Sequence, residues 1–231
     1  MPDELTLLQQ SMTECRLCAR LVEFREEVAA KKRAAYRDWD YWGKPVPSFG
    51  SADARLLIVG LAPAAHGGNR TGRVFTGDRS GDFLFGTLHR FGFANQPSSQ
   101  RKNDGLELRD AYITAAVHCA PPGNRPLPEE FRTCRRYLRL ELSLLKNVRV
   151  VVALGRIAWQ ETVRARKELD WPIPNPLPPF GHAATCRLDD TTVLICSYHP
   201  SQQNTSTGKL TQPMFDEVFR KARAIIGDNR H

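Results

Sequence analysis

The sequence lacks the features that would mark a membrane protein, a multi-domain chain or a repeat protein. None of its apolar runs approaches the roughly 18 residues that a membrane span needs, so we expect a soluble protein with no membrane partner. No Gly/Ser-rich or charged linker divides the 231 residues, and there is no internal repeat. The sequence therefore predicts a single domain over residues 1–231.

A secretion signal is also lacking, because the first residues, Met1-Pro2-Asp3-Glu4, provide neither a basic nor an apolar stretch. We therefore expect a reducing, cytoplasmic location, where structural disulfides are rare. Acidic residues are the minority: 33 Lys and Arg stand against 25 Asp and Glu, which gives a net charge of +8. This excess suits a polyanionic partner, although basic clusters are more often solvated helix faces.

Four apolar runs rich in β-branched residues indicate the fold class. They cover residues 56–59, 111–114, 149–154 and 192–196. Each run is continuous rather than alternating, as expected for strands buried on both faces, and helical patterns lie between the runs. The sequence predicts an α/β domain with a central, mostly parallel, four-stranded sheet flanked by helices.

Four of the six cysteines form two distant pairs that indicate a metal centre. Cys15 and Cys18 make a Cys-x-x-Cys motif, whereas Cys119 and Cys134 flank a proline-rich stretch. Four thiolates suit either a structural zinc or a 4Fe-4S cluster, and the wide interval in the second pair favours the cluster. Disulfides or unlinked core thiols are the alternative. A cluster would tie an N-terminal helical segment to the rest of the domain. The other two cysteines are interpreted as small core residues: Cys186 and Cys196.

Each predicted strand is followed by a segment rich in Gly, Pro, His or Asn. Because ligands gather at the carboxyl ends of parallel strands, we expect these segments to share one crevice. The first segment, residues 60–78, is dense in glycine, but its spacing fits neither a dinucleotide fingerprint nor a Walker loop. A zinc deaminase is excluded as well, because no histidine is followed two residues later by glutamate.

Taken together, these segments resemble the iron-sulfur uracil-DNA glycosylases, and among them the family 5, or type B, subgroup. The motifs that carry the resemblance are Gly60-Leu61-Ala62-Pro63-Ala64, Gly72-Arg73-Val74-Phe75-Thr76-Gly77, Cys119-Ala120-Pro121-Pro122-Gly123-Asn124-Arg125, His199-Pro200-Ser201 and the four cysteines. They extend from about residue 15 to residue 209, which is most of the chain.

The resemblance implies a three-layer α/β fold and a monofunctional enzyme of base excision repair. Such an enzyme flips uracil, and other deaminated bases such as hypoxanthine, out of DNA and hydrolyses the N-glycosidic bond. The implied partner is double- or single-stranded DNA, and the implied structural cofactor is a 4Fe-4S cluster. We expect a monomer that associates with the nucleoid of a prokaryote. The alternative function is an iron-sulfur DNA-binding protein without hydrolase activity, and an assay on uracil-containing DNA separates the two.

Individual roles are expected for four residues. Phe75 lies where an aromatic ring can stack on a flipped base, with a position in the core as the alternative. Asp78, the only acid in residues 55–81, is a candidate to orient or deprotonate water, and it can also cap a helix. The resemblance assigns stabilisation of the departing base to His199 and positioning of water or substrate to Asn124.

The predicted base pocket is more apolar than the pocket of family 4. Where family 4 has a glutamate after the first glycine of its loop, this sequence has Leu61, and where family 4 has an asparagine before the third cysteine, it has Ala115. Because an apolar side chain cannot distinguish a donor from an acceptor, we expect a less selective pocket. The candidate substrate-binding residues are Gly60, Leu61, Ala62, Pro63, Ala64, His66, Phe75 and Ala115.

The polar segment 201–209 follows the His-Pro-Ser motif directly. We interpret it as a flexible loop that contacts phosphates and inserts into the duplex, with an ordinary surface loop as the alternative. The candidate DNA-binding residues are Arg70, Arg73, Ser201, Asn204 and Lys209.

Overall fold

Apolar segments form the parallel centre of a six-stranded sheet. The computed structural model describes residues 3–227, so the ends of the predicted domain, residues 1–2 and 228–231, lie outside the described part. The strands are β1 (Phe49–Gly50), β2 (Leu56–Gly60), β3 (Ala111–Ala115), β4 (Val150–Leu154), β5 (Thr185–Arg187) and β6 (Val193–Ser197). Their order in the sheet is β1-β3-β2-β4-β6-β5.

The predicted fold class is confirmed, and all four predicted strands are present. Strands β3, β2, β4 and β6 are mutually parallel and pair without interruption. Two short strands, β1 and β5, add antiparallel edges that the sequence analysis missed. At two and three residues, neither is long enough to show a strand pattern.

Helices cover both faces of the sheet. They are α1 (Glu4–Thr13), α2 (Ala19–Lys31), α3 (Gly68–Thr71), α4 (Arg79–Arg90), α5 (Pro128–Leu144), α6 (Arg156–Lys167), α7 (Gln202–Ser206) and α8 (Gln212–Ile226). Alternate residues of each strand point to opposite faces, so Leu56 and Ile58 pack with α4 and α8, whereas Leu57 and Val59 pack with α1, α5 and α6. The expected three layers follow from this alternation.

The N-terminal helices pack against the domain through apolar side chains. In α1, Leu5, Leu8 and Met12 are buried in the core that α5 also joins. In α2, Leu21 packs with Phe131 and Cys119 in a separate small core. The expected N-terminal helical segment is therefore present. In residues 3–227, no helix is both long and apolar enough to cross a membrane.

The parallel strands place their carboxyl ends along one edge of the sheet. In this register Gly60 pairs with Ala115, and Leu154 pairs with Ser197. The segments that follow β2, β3, β4 and β6 therefore leave the sheet on the same side, as the sequence analysis expected. The predicted core positions of the two remaining cysteines, Cys186 and Cys196, are confirmed by their burial.

Candidate active site

A cavity of about 510 Å³ opens at this edge of the sheet. Its walls come from the segments after β2, β3 and β6 and from the start of α4. Ten of the residues predicted to form the site line it: Leu61, Ala62, Pro63, Ala64, Phe75, Asp78, Ala115, Asn124, His199 and Ser201. The structure thus brings together residues that are as far apart in the chain as 61 and 201.

Phe75 forms an aromatic wall of this cavity. Its backbone lies in the left-handed region, at a φ of 50°, which is costly for a bulky side chain and is held by the surrounding loop. The ring lies over Gly60, where a Cβ atom would come within 2.8 Å of two ring carbons. Glycine is therefore needed at position 60 for this ring position. The ring therefore lines the cavity and also packs against the main core.

Asp78 lies at the junction of the glycine-rich loop and α4. Its Oδ1 atom accepts the backbone N–H of Gly81 at 2.9 Å, which makes it the N-cap of the helix. The Oδ2 atom lies so close to Gly67 that a Cβ atom there would be 2.1 Å away. Burial raises the pKa of this carboxyl above its usual value, against the lowering effect of its backbone hydrogen bonds. Asp78 therefore caps a helix and lines the cavity at once.

His199 follows β6 and contributes a second ring to the wall of the cavity. Its ring centroid lies 6.1 Å from that of Phe75. Burial lowers the pKa of the imidazole to about 4, so the ring is neutral near pH 7. The backbone carbonyl of His199 accepts a hydrogen bond from Asn204 Nδ2 at 2.9 Å, which fixes the turn. A neutral imidazole at this place can donate one N–H into the cavity.

The rim of the cavity is polar, whereas its inner wall is not. Asn124 is exposed at the rim, in a short 3₁₀ turn, with a left-handed φ of 57°. Leu61 and Ala115 are apolar neighbours of the inner wall, as predicted. The sequence analysis missed five lining residues: Val74, Arg79, Ser80, Gln202 and Gln203. Their position next to Phe75, Asp78 and Ser201 in the chain is the signal that could have found them.

Arg70 and Arg73, predicted to contact DNA, are both buried, and their guanidinium groups have partners within the protein. Arg70 stacks between the rings of Tyr36 and Trp39, 3.9 and 4.0 Å from their centroids. Arg73 forms an ion pair with Asp104 at 2.8 Å. Both residues therefore hold the loop in shape through contacts within the protein.

His66, predicted to contact the substrate, lies away from the cavity. Its Nδ1 lies 3.0 Å from the hydroxyl of Tyr41, and the residue does not line the cavity. The backbone carbonyl of His66 accepts Arg70 Nε at 2.7 Å, so the residue belongs to the same loop-holding network. Gly60, also predicted to bind the substrate, lies beneath the ring of Phe75 and does not itself line the cavity.

The segment 201–209 is not the flexible loop that its composition suggested. Ser201 caps the short helix α7 by accepting the N–H of Asn204 through its hydroxyl. Lys209 places its ammonium group 5.4 Å from the ring centroid of Tyr198. Asn204 and Lys209 line a second cavity next to the first, whereas Ser201 lines the first.

The four cysteines of the two motifs line one small, mainly apolar cavity. Arg25 Nη1 donates to Cys119 Sγ at 3.1 Å, and the backbone N–H of His118 donates to Cys134 Sγ at 3.4 Å. In the described part of the chain, no three or more His, Cys, Asp or Glu side chains are arranged to hold a metal ion. A tetrahedral zinc would need its sulfurs about 2.3 Å from one point. Four thiols around one cavity, with N–H donors to two of them, form a donor set of the kind that both zinc and an iron-sulfur cluster use.

Comparison with known proteins agrees with the geometry. The sequence is 51% identical over 221 residues to the Type-5 uracil-DNA glycosylase of Mycobacterium tuberculosis, over 95% of this chain and 81% of that protein. It is 50% identical to the Type-5 uracil-DNA glycosylase of Thermus thermophilus, over 94% of this chain and 96% of that protein. The Type-4 uracil-DNA glycosylase of Pyrobaculum aerophilum is 34% identical, over 80% of this chain and 83% of that protein. The family model described as "Uracil DNA glycosylase superfamily" matches residues 47–223, which include all six strands. The chain therefore belongs to that superfamily.

Proposed function

We propose that the protein is a uracil-DNA glycosylase that takes a flipped nucleotide into the 510 Å³ cavity and hydrolyses its N-glycosidic bond. The observation that carries this proposal is the meeting of Phe75, Asp78 and His199 in one cavity of a chain from this superfamily. The close relatives that are named Type-5 uracil-DNA glycosylases support it.

The three side chains divide the work that the reaction requires. The face of Phe75 stacks on the base, which replaces the stacking that the base loses in DNA. The carboxylate of Asp78 orients or deprotonates a water molecule at the electrophilic face of the sugar, whose transition state has oxocarbenium character. The neutral ring of His199 donates a hydrogen bond to the oxygen of the departing base, where negative charge develops.

The apolar inner wall determines which bases are accepted. Leu61 and Ala115 offer no hydrogen bond to the base edge, so they do not reject a base that has a different donor and acceptor pattern. We therefore propose that hypoxanthine and modified uracils are excised as well as uracil. Cleavage of otherwise identical oligonucleotides that carry each base tests this point, and activity on uracil alone would contradict it.

The same assay separates the enzyme from the alternative, an iron-sulfur DNA-binding protein without hydrolase activity. The glycosylase releases free base and leaves an abasic site that alkali cleaves, whereas the binding protein leaves the strand intact. No release of uracil by the iron-loaded protein from single- or double-stranded DNA would refute the proposed function.

The cysteine cavity is proposed to hold a 4Fe-4S cluster through Cys15, Cys18, Cys119 and Cys134. When bound, such a cluster supplies a covalent link between the N-terminal helices, the segment after β3 and α5. Arg25 supports this assignment, because the residue is 1% exposed, its Nη1 donates to Cys119 Sγ and its Nε has no hydrogen-bond partner. The ion pair of Arg25 with Glu26 is long, at 3.8 Å, and that carboxylate is half-exposed. A buried cation with so weak a partner is costly, and four thiolates around iron would compensate its charge. Iron analysis of the purified protein tests the assignment, and stoichiometric zinc without iron would refute it.

DNA is the proposed partner, and a monomer in the prokaryotic nucleoid is the proposed state. With Arg70 and Arg73 buried, the cations available near the cavities are Arg79 at the rim of the first and Lys209 and Arg156 in the second. Light scattering with and without an oligonucleotide tests the monomer.

A further inference from the structure

The second cavity, of about 460 Å³, lies beside the first and has no role in the chemistry described above. It is formed at the carboxyl ends of β4 and β6, by the start of α6 and by the segment that carries Phe180. Only Leu61 and His199 line both cavities, so the wall between them is about one side chain thick.

The lining of this second cavity combines aromatic rings with cations. The rings of Phe180 and Tyr198 are half-buried neighbours, with centroids 6.3 Å apart. The guanidinium of Arg156 lies 5.2 Å from the centroid of Phe180, and the ammonium group of Lys209 lies 5.4 Å from that of Tyr198. Among residues 3–227, no carboxylate lines the cavity.

This chemistry suits one nucleotide of a nucleic acid strand. An aromatic face stacks on any base, and a neighbouring cation compensates the phosphate, which is the combination used by proteins that hold single strands. A purely apolar ligand would leave two cations without a partner, and a small anion would leave the aromatic rings unused. Neutral or cationic ligands are disfavoured by the uncompensated positive charge.

The position of the cavity identifies which nucleotide this is. Successive nucleotides of a strand are joined by one phosphate, and the two cavities share a wall formed by two side chains. We propose that the second cavity receives the base of a nucleotide directly adjacent, on the same strand, to the one whose base enters the first cavity. This inference deepens the proposed function, because it adds a subsite to the same DNA-binding edge.

The test compares protein and DNA changes in one cycle. Labelled single-stranded oligonucleotides carry a non-cleavable abasic analogue, tetrahydrofuran, at the target position, and either thymine or a second tetrahydrofuran at one neighbouring position. Removing the neighbouring thymine on one side should weaken binding to the parent protein by roughly 5- to 150-fold, the usual worth of one stacked base. Phe180→Ala should weaken binding to the thymine form by a similar factor and leave binding to the second form nearly unchanged. Phe180→Trp should restore the difference.

Equal weakening by Phe180→Ala on both oligonucleotides, or no weakening on either, would overturn the inference. The same oligonucleotides are also tested after annealing to a complementary strand. If Phe180→Ala weakens binding only to the duplex, the cavity holds a nucleotide of the complementary strand, and the inference is overturned. Cleavage by the parent protein of matching oligonucleotides that carry uracil in place of the target tetrahydrofuran tests the proposed function separately.

A second variant tests the cations. Arg156→Ala should weaken binding and lower the slope of log Kd against log salt by about 1. Lys146→Ala removes the same charge from an exposed position before β4, at the opposite edge of the sheet, and should leave binding nearly unchanged. If both variants weaken binding equally, the effect is one of overall charge and the subsite is refuted.

Discussion

Replacing Asp78 by asparagine distinguishes a catalytic carboxylate from a helix cap. Asparagine retains an oxygen that can accept the N–H of Gly81, which is now 2.9 Å away, and it caps helices as well as aspartate does. The loss of negative charge at the start of α4 costs about 0.3–1 kcal/mol. The relief of burying a charge, which raises the pKa of this carboxyl, acts in the opposite direction. Asp78→Asn should therefore change the free energy of unfolding little.

The rate should respond far more strongly. If the carboxylate orients or deprotonates the attacking water, its loss lowers the single-turnover cleavage rate by roughly 10² to 10⁴. This corresponds to about 2.7–5.5 kcal/mol of the activation barrier. The assay uses excess enzyme on a uracil-containing oligonucleotide, with melting temperature and DNA affinity measured in parallel. Because the pKa of Asp78 is raised, the parent rate should climb with pH through a value above that of an ordinary aspartate.

The matched control is Asp82→Asn. Asp82 lies one turn further along α4, is exposed, and does not line the cavity. The substitution Asp82→Asn removes the same charge from the same helix, and the variant should cleave at nearly the parent rate. Cleavage by Asp78→Asn at the parent rate would refute the catalytic role, assign Asp78 to structure alone, and leave Asn124 and His199 as the groups to test for positioning water.

Three further predictions concern other parts of the site. Gly60→Ala should slow cleavage at least tenfold, because the added Cβ atom would displace the ring of Phe75. The control is Gly86→Ala in α4, where the added Cβ atom would lie 3.6 Å from its nearest neighbour, and this variant should cleave at the parent rate. Burial lowers the pKa of His199 to about 4, so the ring stays neutral between about pH 8 and 5, and its titration should not lower the single-turnover rate in that range. A fall in rate near pH 6.5 that is absent in His199→Gln would contradict this prediction. Arg25→Met should lose iron to a chelator faster than either the parent protein or Arg25→Lys does, and the visible absorption of the protein measures this loss. Unchanged iron retention would contradict charge compensation between Arg25 and the cluster.

The centre of the fold could be predicted because it is encoded locally. A strand such as β4, Val150–Leu154, is buried on both faces, so its apolar run is continuous and visible without any knowledge of its neighbours. The edge strands are different. A two-residue strand such as β1 forms because it pairs with β3, and its own two residues show no pattern that predicts this pairing.

The arginines of the glycine-rich loop show why residue type alone does not tell which cations are exposed. An arginine near a cleft is expected to be exposed, and Arg79 is. Arg70 and Arg73 are buried because partners distant in the chain, Trp39 and Asp104, lie beside them in the fold. Such pairing is a property of the tertiary structure, so the charge composition that predicted a polyanionic partner could not predict which cations would meet it.

The helix cap formed by Asp78 and the catalytic role proposed for it are compatible with one geometry. A capping carboxylate needs a single oxygen for the helix, and here Oδ1 meets the N–H of Gly81, which leaves Oδ2 for other work. The helix N-terminus stabilises the charged form, whereas burial destabilises it, and the net rise in pKa means that burial outweighs the backbone hydrogen bonds. A carboxylate in that balance is held rigidly and binds a proton more readily than a solvated aspartate. Both properties favour a group that must position water and accept a proton from it, so the cap would contribute to the catalytic role that we propose.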